Sequence, residues 1–192
     1  MGLRLITAPS ASPVSLAEAK AHLRVYGTDD DGLIAGLILA AVQLAEKQTN
    51  LLLATQTWEL TLDRFPDVLG VAGGAIRLPR SPVQSITSIT YIDAAGATQT
   101  VTAGDYALDK DVSPAAVSTT YGKVWPTPRV QSNAVTVRFV AGHAQIPEPI
   151  RAAILLLLGH LYENREAVIV GQAPAELPLG VDALLYPYRV FY

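Results

Sequence analysis

There is no cysteine in this chain, so neither a disulfide framework nor a thiolate metal site can contribute to its fold. Charge is scarce as well, with only 16% of residues ionisable as Asp, Glu, Lys or Arg and a net of −3. A sequence-independent nucleic-acid binder carries a basic excess, and this chain has none. No apolar run is long enough to cross a bilayer. The greasiest stretch, Ile150 to Leu158, contains Arg151 and falls far short of the roughly 20 residues a spanning helix needs. MGLRLITAPS at the N-terminus has no apolar core of signal-peptide length, and Ile6 stands where a myristoylation signal needs Ser or Thr. The G-x-S-x-G, P-loop and G-x-G-x-x-G patterns are missing, and no lysine follows the glycines of Gly70–Gly74. Of the three histidines, His160 shares a helix face with Glu163 but has no second histidine four residues away, so the zinc-protease pattern fails. His22 reads as a boundary residue of a helix, and His143 as a loop residue in a hydrogen-bonding role. Asp29-Asp30-Asp31-Gly32 is not an EF-hand loop. Leu33 breaks the alternation of oxygen ligands, and the twelfth position is Ala40 rather than Glu. The expectation is a non-enzyme with no catalytic residue, no metal site and no cofactor.

What the chain does have is a central helix. PEPIRAAILLLLGHLYENREA, Pro147 to Ala167, opens on two prolines, which suit a first helical turn. Glu148 favours the positive end of the helix dipole. Ile150, Ile154, Leu157, Leu158 and Leu161 recur at helical spacing, and Leu155 and Leu156 make the middle apolar nearly all round, as in a helix buried on several sides. Two helices precede it. Ser15 and Glu18 form an S-x-x-E capping box before a helix with Leu16, Ala19, Leu23 and Tyr26 on one face, and Gly27 is the expected left-handed stop. Thr28 to Asp31 supplies the next N-cap and first-turn acids. The second helix runs to about Asn50, with a wide apolar face of Leu33, Ile34, Leu37, Ile38, Ala40, Ala41, Leu44 and Ala45, while Glu46 and Lys47 face water.

From Thr55 the texture changes to short alternating strands broken by proline and glycine. They are TWELTL, IRLP, SITSITYID, TQTVT, YALD, VSTTYGKVW and AVTVRFV, with a turn at Asp93–Gly96. The predicted fold is α+β: a small helical bundle, residues 1–54 and 142–192, with three main helices and a short C-terminal one. An all-β insertion, residues 55–141, lies between helices two and three. Residues 181–186 can form one or two helical turns stopped by Pro187. The last seven residues, YPYRVFY, hold four aromatics, Tyr186, Tyr188, Phe191 and Tyr192. Such an end either folds back on its own subunit or docks on a neighbour as an extended arm.

In order, SLAEAKAHLRV, the alanine-rich helix ending at AEKQTN, TWEL, LPRSPVQSITSITYID, YGKVWP, VTVRFVAGH, PEPIRAAILLLLGHLYENRE and GVDALLYPYR resemble the head–tail connector, or adaptor, proteins of long-tailed bacteriophages, with relatives in gene transfer agents and prophages. The chain looks like the longer subgroup that carries a β insertion. The resemblance implies a structural virion protein forming a ring, commonly a dodecamer, between the portal and the next neck or tail protein (a stopper or tail terminator). It implies passage of DNA without sequence-specific binding, no membrane partner, a location at the head–tail junction, and assembly in the host cytoplasm. It also implies a portal-gripping C-terminal segment, carried here onto Tyr186, Pro187, Tyr188, Arg189, Phe191 and Tyr192. An over-apolar central helix wants neighbours, so Ile154, Leu158, Tyr162, Asn164, Arg165 and Glu166 are the expected subunit interface. The alternative is a β-rich ligand- or surface-binding module of a phage tail, acting through the loops at Gly70–Gly74 and Lys123–Arg129.

Overall fold

The computed structural model describes residues 1–67, 74–164 and 179–191. The chain divides into two compact units, one of residues 1–9 and 55–143, the other of residues 10–54 and 144–191.

The second unit is helical. α1 (Leu16–Leu23) is capped by Ser15, whose Oγ accepts the Glu18 N–H at 3.2 Å. Only half of the capping box forms, because the Glu18 carboxylate takes two bonds from Arg151 Nη1 instead. The helix stops before the expected glycine. Arg24 adopts φ 58°, and its N–H and that of Val25 satisfy the Ala21 and Lys20 carbonyls. α2 (Asp31–Thr49) buries a narrower stripe than its composition suggests: Ile34, Ile38, Ala41, Val42, Ala45 and Thr49. Its N-cap is Asp30 rather than Thr28, and the Asp30 side chain makes no cap bond. Its carboxylate accepts the Tyr162 hydroxyl. Glu46 is turned back to cap the chain, accepting the Leu53 N–H at 2.8 Å. α3 (Glu148–Glu163) starts after Pro147 with Pro149 in its first turn, where a missing N–H costs nothing. It buries Ile150, Ala153, Ile154, Leu157 and Leu158 against α2, and with α4 (Leu179–Leu185) closes one core that includes Val181 and Leu185. Tyr186–Tyr188 form a 3-10 turn after α4.

The first unit is all β. A five-stranded antiparallel sheet has the order β1-β2-β8-β4-β5, built from β1 (Gly2–Thr7), β2 (Gln56–Leu62), β4 (Val83–Ile92), β5 (Thr98–Thr100) and β8 (Val135–Ala141). β3 (Ile76–Arg77), β6 (Tyr106–Asp109) and β7 (Ala116–Thr119) form a second sheet of order β3-β7-β6. All of these except β1 lie between α2 and α3, as expected. β1 is new: Met1–Pro13 reads as a mere extended lead-in, yet Gly2–Thr7 pairs with β2 from Leu3↔Leu60 to Leu5↔Trp58. VSTTYGKVW is not one strand. β7 ends at Thr119, and after Gly122, at φ 76°, the chain turns Trp125 inward. The expected turn at Asp93–Gly96 forms, with Gly96 at φ 89° and the Asp93 carboxylate accepting from Ala95, Ala97 and Gln99. Gln56 pairs with Ala141, so the first and last inserted strands bring the chain back to one place. Gln84, in an irregularity of β4, ties that point together by donating to Thr55 Oγ1 and the Gly142 carbonyl.

One ion ladder crosses three strands of this sheet. Glu59, 7% exposed, accepts from Arg4 Nη2 at 2.8 Å on one side and Arg138 Nη2 at 2.7 Å on the other, its register partners in β1 and β8. The hydrogen bond from Arg138, with that from Arg4, outweighs burial and holds the Glu59 carboxyl below its ordinary pKa. The folded state thus favours the carboxylate. Its stabilisation is complete above the unfolded pKa and is lost as pH falls through the lower folded one. His143 acts in a higher window. Burial pushes its imidazole below the ordinary 6.5, so below about pH 6.5 the unfolded chain takes up a proton that the folded chain resists, and stability falls. Glu59→Gln should lower stability at pH 7 by ~1.5 kcal/mol, the low end for a charged hydrogen bond because both arginines are partly solvated. It should also flatten the acid limb of a melting-temperature-against-pH curve below the ordinary 4.5 of a glutamate carboxyl. An unchanged acid limb would show that the ladder does not carry this dependence.

Candidate assembly interface

The predicted arm lies partly on its own subunit. The Val190 N–H donates to the Thr49 carbonyl at 2.9 Å, and Asn50 Nδ2 donates to the Val190 carbonyl at 2.8 Å. Tyr188 and Val190 pack, half-buried, against the helical core. Pro187 sits inside the 3-10 turn rather than opening an extended arm, and the extended backbone begins at Arg189, ψ 128°. Arg189 reaches back to Asp182 at 3.1 Å and lies 5.7 Å over the Tyr186 ring. Two aromatics point outward from this anchored segment: Tyr186, 67% exposed, and Phe191, 78% exposed. Tyr192 lies outside the described residues.

The residues expected at an interface on α3 lie in different surroundings. Ile154 and Leu158 are fully buried in the subunit's own core, and a side chain closed off on all sides has no surface left for a neighbour. Tyr162 is engaged within the subunit, donating to Asp30. Asn164 is exposed and caps α3 by donating from Nδ2 to the His160 carbonyl at 2.9 Å. Arg165 and Glu166 lie outside the described residues. The apolar side chains that the helical unit does expose include Leu33 and Leu39 on α2 and Leu156 on α3. The signal for these was in the sequence, in the absence of charge on the outer sides of both helices, but an all-round apolar helix does not announce which side is outer.

On the β unit, a groove of about 710 Å³ is lined by Asp63, Arg64, Asp67 and the segment from Trp125 to Ser132. Trp125 stacks on Phe65 with ring centroids 4.8 Å apart and donates its indole N–H to the Gly74 carbonyl at 2.8 Å. Gly70–Gly73 lie outside the described residues. His143 Nε2 is buried, with no partner among the described residues, in place of the hydrogen bond expected of it. Among the described residues no group of three or more His, Cys, Asp or Glu side chains could hold a metal ion, and no helix is long and apolar enough to cross a membrane.

The sequence model of a family described as the phage gp6-like head-tail connector protein matches residues 13–113, from the turn before α1 through most of the β unit. The chain belongs to this family of head–tail connectors. The family is structural, and the chain is a structural connector rather than an enzyme. Solved structures extend the likeness over its whole length. A chain in the neck of an empty gene transfer agent particle, computed with C6 symmetry, is 25% identical with a TM-score of 0.77, the match covering 100% of this chain and 97% of that one. A chain in the virion of a native gene transfer agent particle gives 0.76, and one in a native neck computed with C12 symmetry gives 0.73, at the same identity and coverage. No curated protein sequence matches the chain.

Proposed function

We propose that this connector assembles as a ring, of twelve copies in the particle, between the portal and the next neck or tail protein, and that the ring extends the channel through which DNA passes. The observation that carries this reading is the full-length likeness to a chain in necks computed with rotational symmetry. The net charge of −3 suits a conduit, since a basic lumen would retain DNA by releasing its counterions. Tyr186 and Phe191, presented on a segment that Asn50 and Arg189 hold in place, are the side chains with which it would grip the portal. Its place is then the head–tail junction of the virion, reached by assembly in the bacterial cytoplasm.

The test is the mass of the purified chain, alone and mixed with its cognate portal ring. A free monomer that becomes a fixed, ring-sized complex on the portal is the expected result, with the partner templating the ring. A stable free ring would place the assembly information in the subunit itself. Absence of any complex with the cognate portal would overturn the reading.

A further inference from the structure

Given the ring assembly proposed above, on which this inference rests, we infer that neighbouring copies meet helix to helix, the outer face of α2 on one copy against the outer face of α3 on the next. Within one subunit the two helices run antiparallel, since Tyr162 near the end of α3 bonds Asp30 at the start of α2. Their buried stripes share one core, so their outer stripes, turned away from it, form two different faces of the helical unit. On α2 the outer stripe is Gly32, Gly36, Leu39, Gln43 and Lys47; on α3 it is Glu148, Ala152, Leu156, Gly159 and Glu163. A surface helix normally carries charge opposite its buried stripe. Here neither stripe has a charge except at its ends, and Leu39 and Leu156 are 60% and 40% exposed.

The two stripes are complementary. The α2 positions read forwards and the α3 positions read backwards fall at the same spacing, so one antiparallel register aligns all five pairs. It sets Gly36 on Gly159, Leu39 on Leu156, Gln43 on Ala152 and Lys47 on Glu148. Lys47 is exposed and has no ionic partner among the described residues. The Glu148 side chain is 83% exposed, and among the described residues its one ionic contact is at 3.4 Å to Arg151, which also holds Glu18. A β-carbon on Gly36 would meet nothing within 4 Å. The subunit's own packing therefore does not call for a glycine there, although glycine weakens a helix relative to alanine. A second backbone approaching at that point would call for one. At Gly159 the approach is bounded by His22 of α1, whose Nε2 lies 3.8 Å from the corresponding β-carbon position. Two different faces make a head-to-tail contact, the kind that closes into a ring when each copy uses both. The occupant of each face is thus a second copy of this chain.

Because the chain has no cysteine, the contact can be trapped directly. Leu39→Cys with Leu156→Cys, assembled on the portal and oxidised, is expected to run on a denaturing gel as a ladder of oligomers, while either single variant stays monomeric. Assembled rings that yield no ladder would overturn the proposal. So would a covalent dimer from Leu39→Cys alone, which would mean an α2-to-α2 contact. Gly36→Leu should leave the melting temperature of the monomer unchanged or higher yet weaken ring formation at least tenfold. Lys47→Glu should weaken it too, and adding Glu148→Lys should restore it. Rings of Gly36→Leu as stable as wild type would count against the contact. A wild-type chain that forms no ring at all would instead overturn the assembly reading, and this contact with it.

Discussion

Truncating Trp125 to alanine should destabilise the β-rich unit by about 3–5 kcal/mol, the range for removing a large buried aromatic. The residue is 2% exposed and stacks nearly parallel to Phe65, which meets Tyr91 edge-on at 6.1 Å. Its indole N–H satisfies the Gly74 carbonyl. Gly74 in turn passes so close to Pro66 that a β-carbon would sit 2.8 Å from the Pro66 carbonyl oxygen, so that stretch has no slack with which to collapse into the cavity. Trp125 also anchors the long connection from Thr119 to Val135, which otherwise runs without regular structure. Both tryptophans of the chain, Trp58 and Trp125, lie in this unit, so in the variant the remaining Trp58 reports on it by fluorescence. Trp125→Phe keeps a ring for the stack and loses the hydrogen bond, and should cost about 1 kcal/mol. Equal melting of Trp125→Ala and wild type would mean that the stack does not hold the unit together.

The helices were legible because their signals are local. The Ser15 cap, the prolines around Glu148 and the spacing of Ile150, Ile154 and Leu157 all act within one or two turns. What escaped the sequence depends on contacts made across the fold. β1 is a six-residue strand whose partner begins at Gln56, and nothing near Gly2 announces that pairing. Gly27 looked like the left-handed stop of α1, but Arg24 takes that conformation because two carbonyls at the helix end are satisfied there. Leucine-rich α3 could be read as wanting neighbours on any side. Only the packed structure separates Ile154 and Leu158, closed inside the subunit, from Leu156, left open. Glu46, expected to face water, instead serves the Leu53 backbone seven residues on. The C-terminal aromatics stand out in the sequence, yet their alternation does not, because it is set by the two hydrogen bonds that tie Val190 to Thr49 and Asn50.

That alternation separates folding from binding in the C-terminal segment. Deleting the last seven residues would remove Tyr188 and Val190, which pack on the helical core, together with Tyr186 and Phe191, which do not. A loss of portal binding could then reflect a damaged bundle. Replacing Tyr186 and Phe191 by alanine avoids this, since both are exposed and the backbone bonds of Val190 remain. The double variant should melt within about 0.5 kcal/mol of wild type, as surface substitutions do. Exposed aromatics that become buried anchors at an interface are worth about 2 kcal/mol or more each, roughly thirtyfold in affinity. Together they should weaken portal binding by about a thousandfold if their effects add. Arg189→Ala is the informative companion. It removes an exposed ion pair with Asp182 and a contact over the Tyr186 ring, so it should scarcely change stability. It should still weaken binding, because Tyr186 is then free to sample other rotamers before it docks. Portal titrations of the three proteins decide the matter: if the double variant binds as tightly as wild type, the grip on the portal lies elsewhere on the subunit.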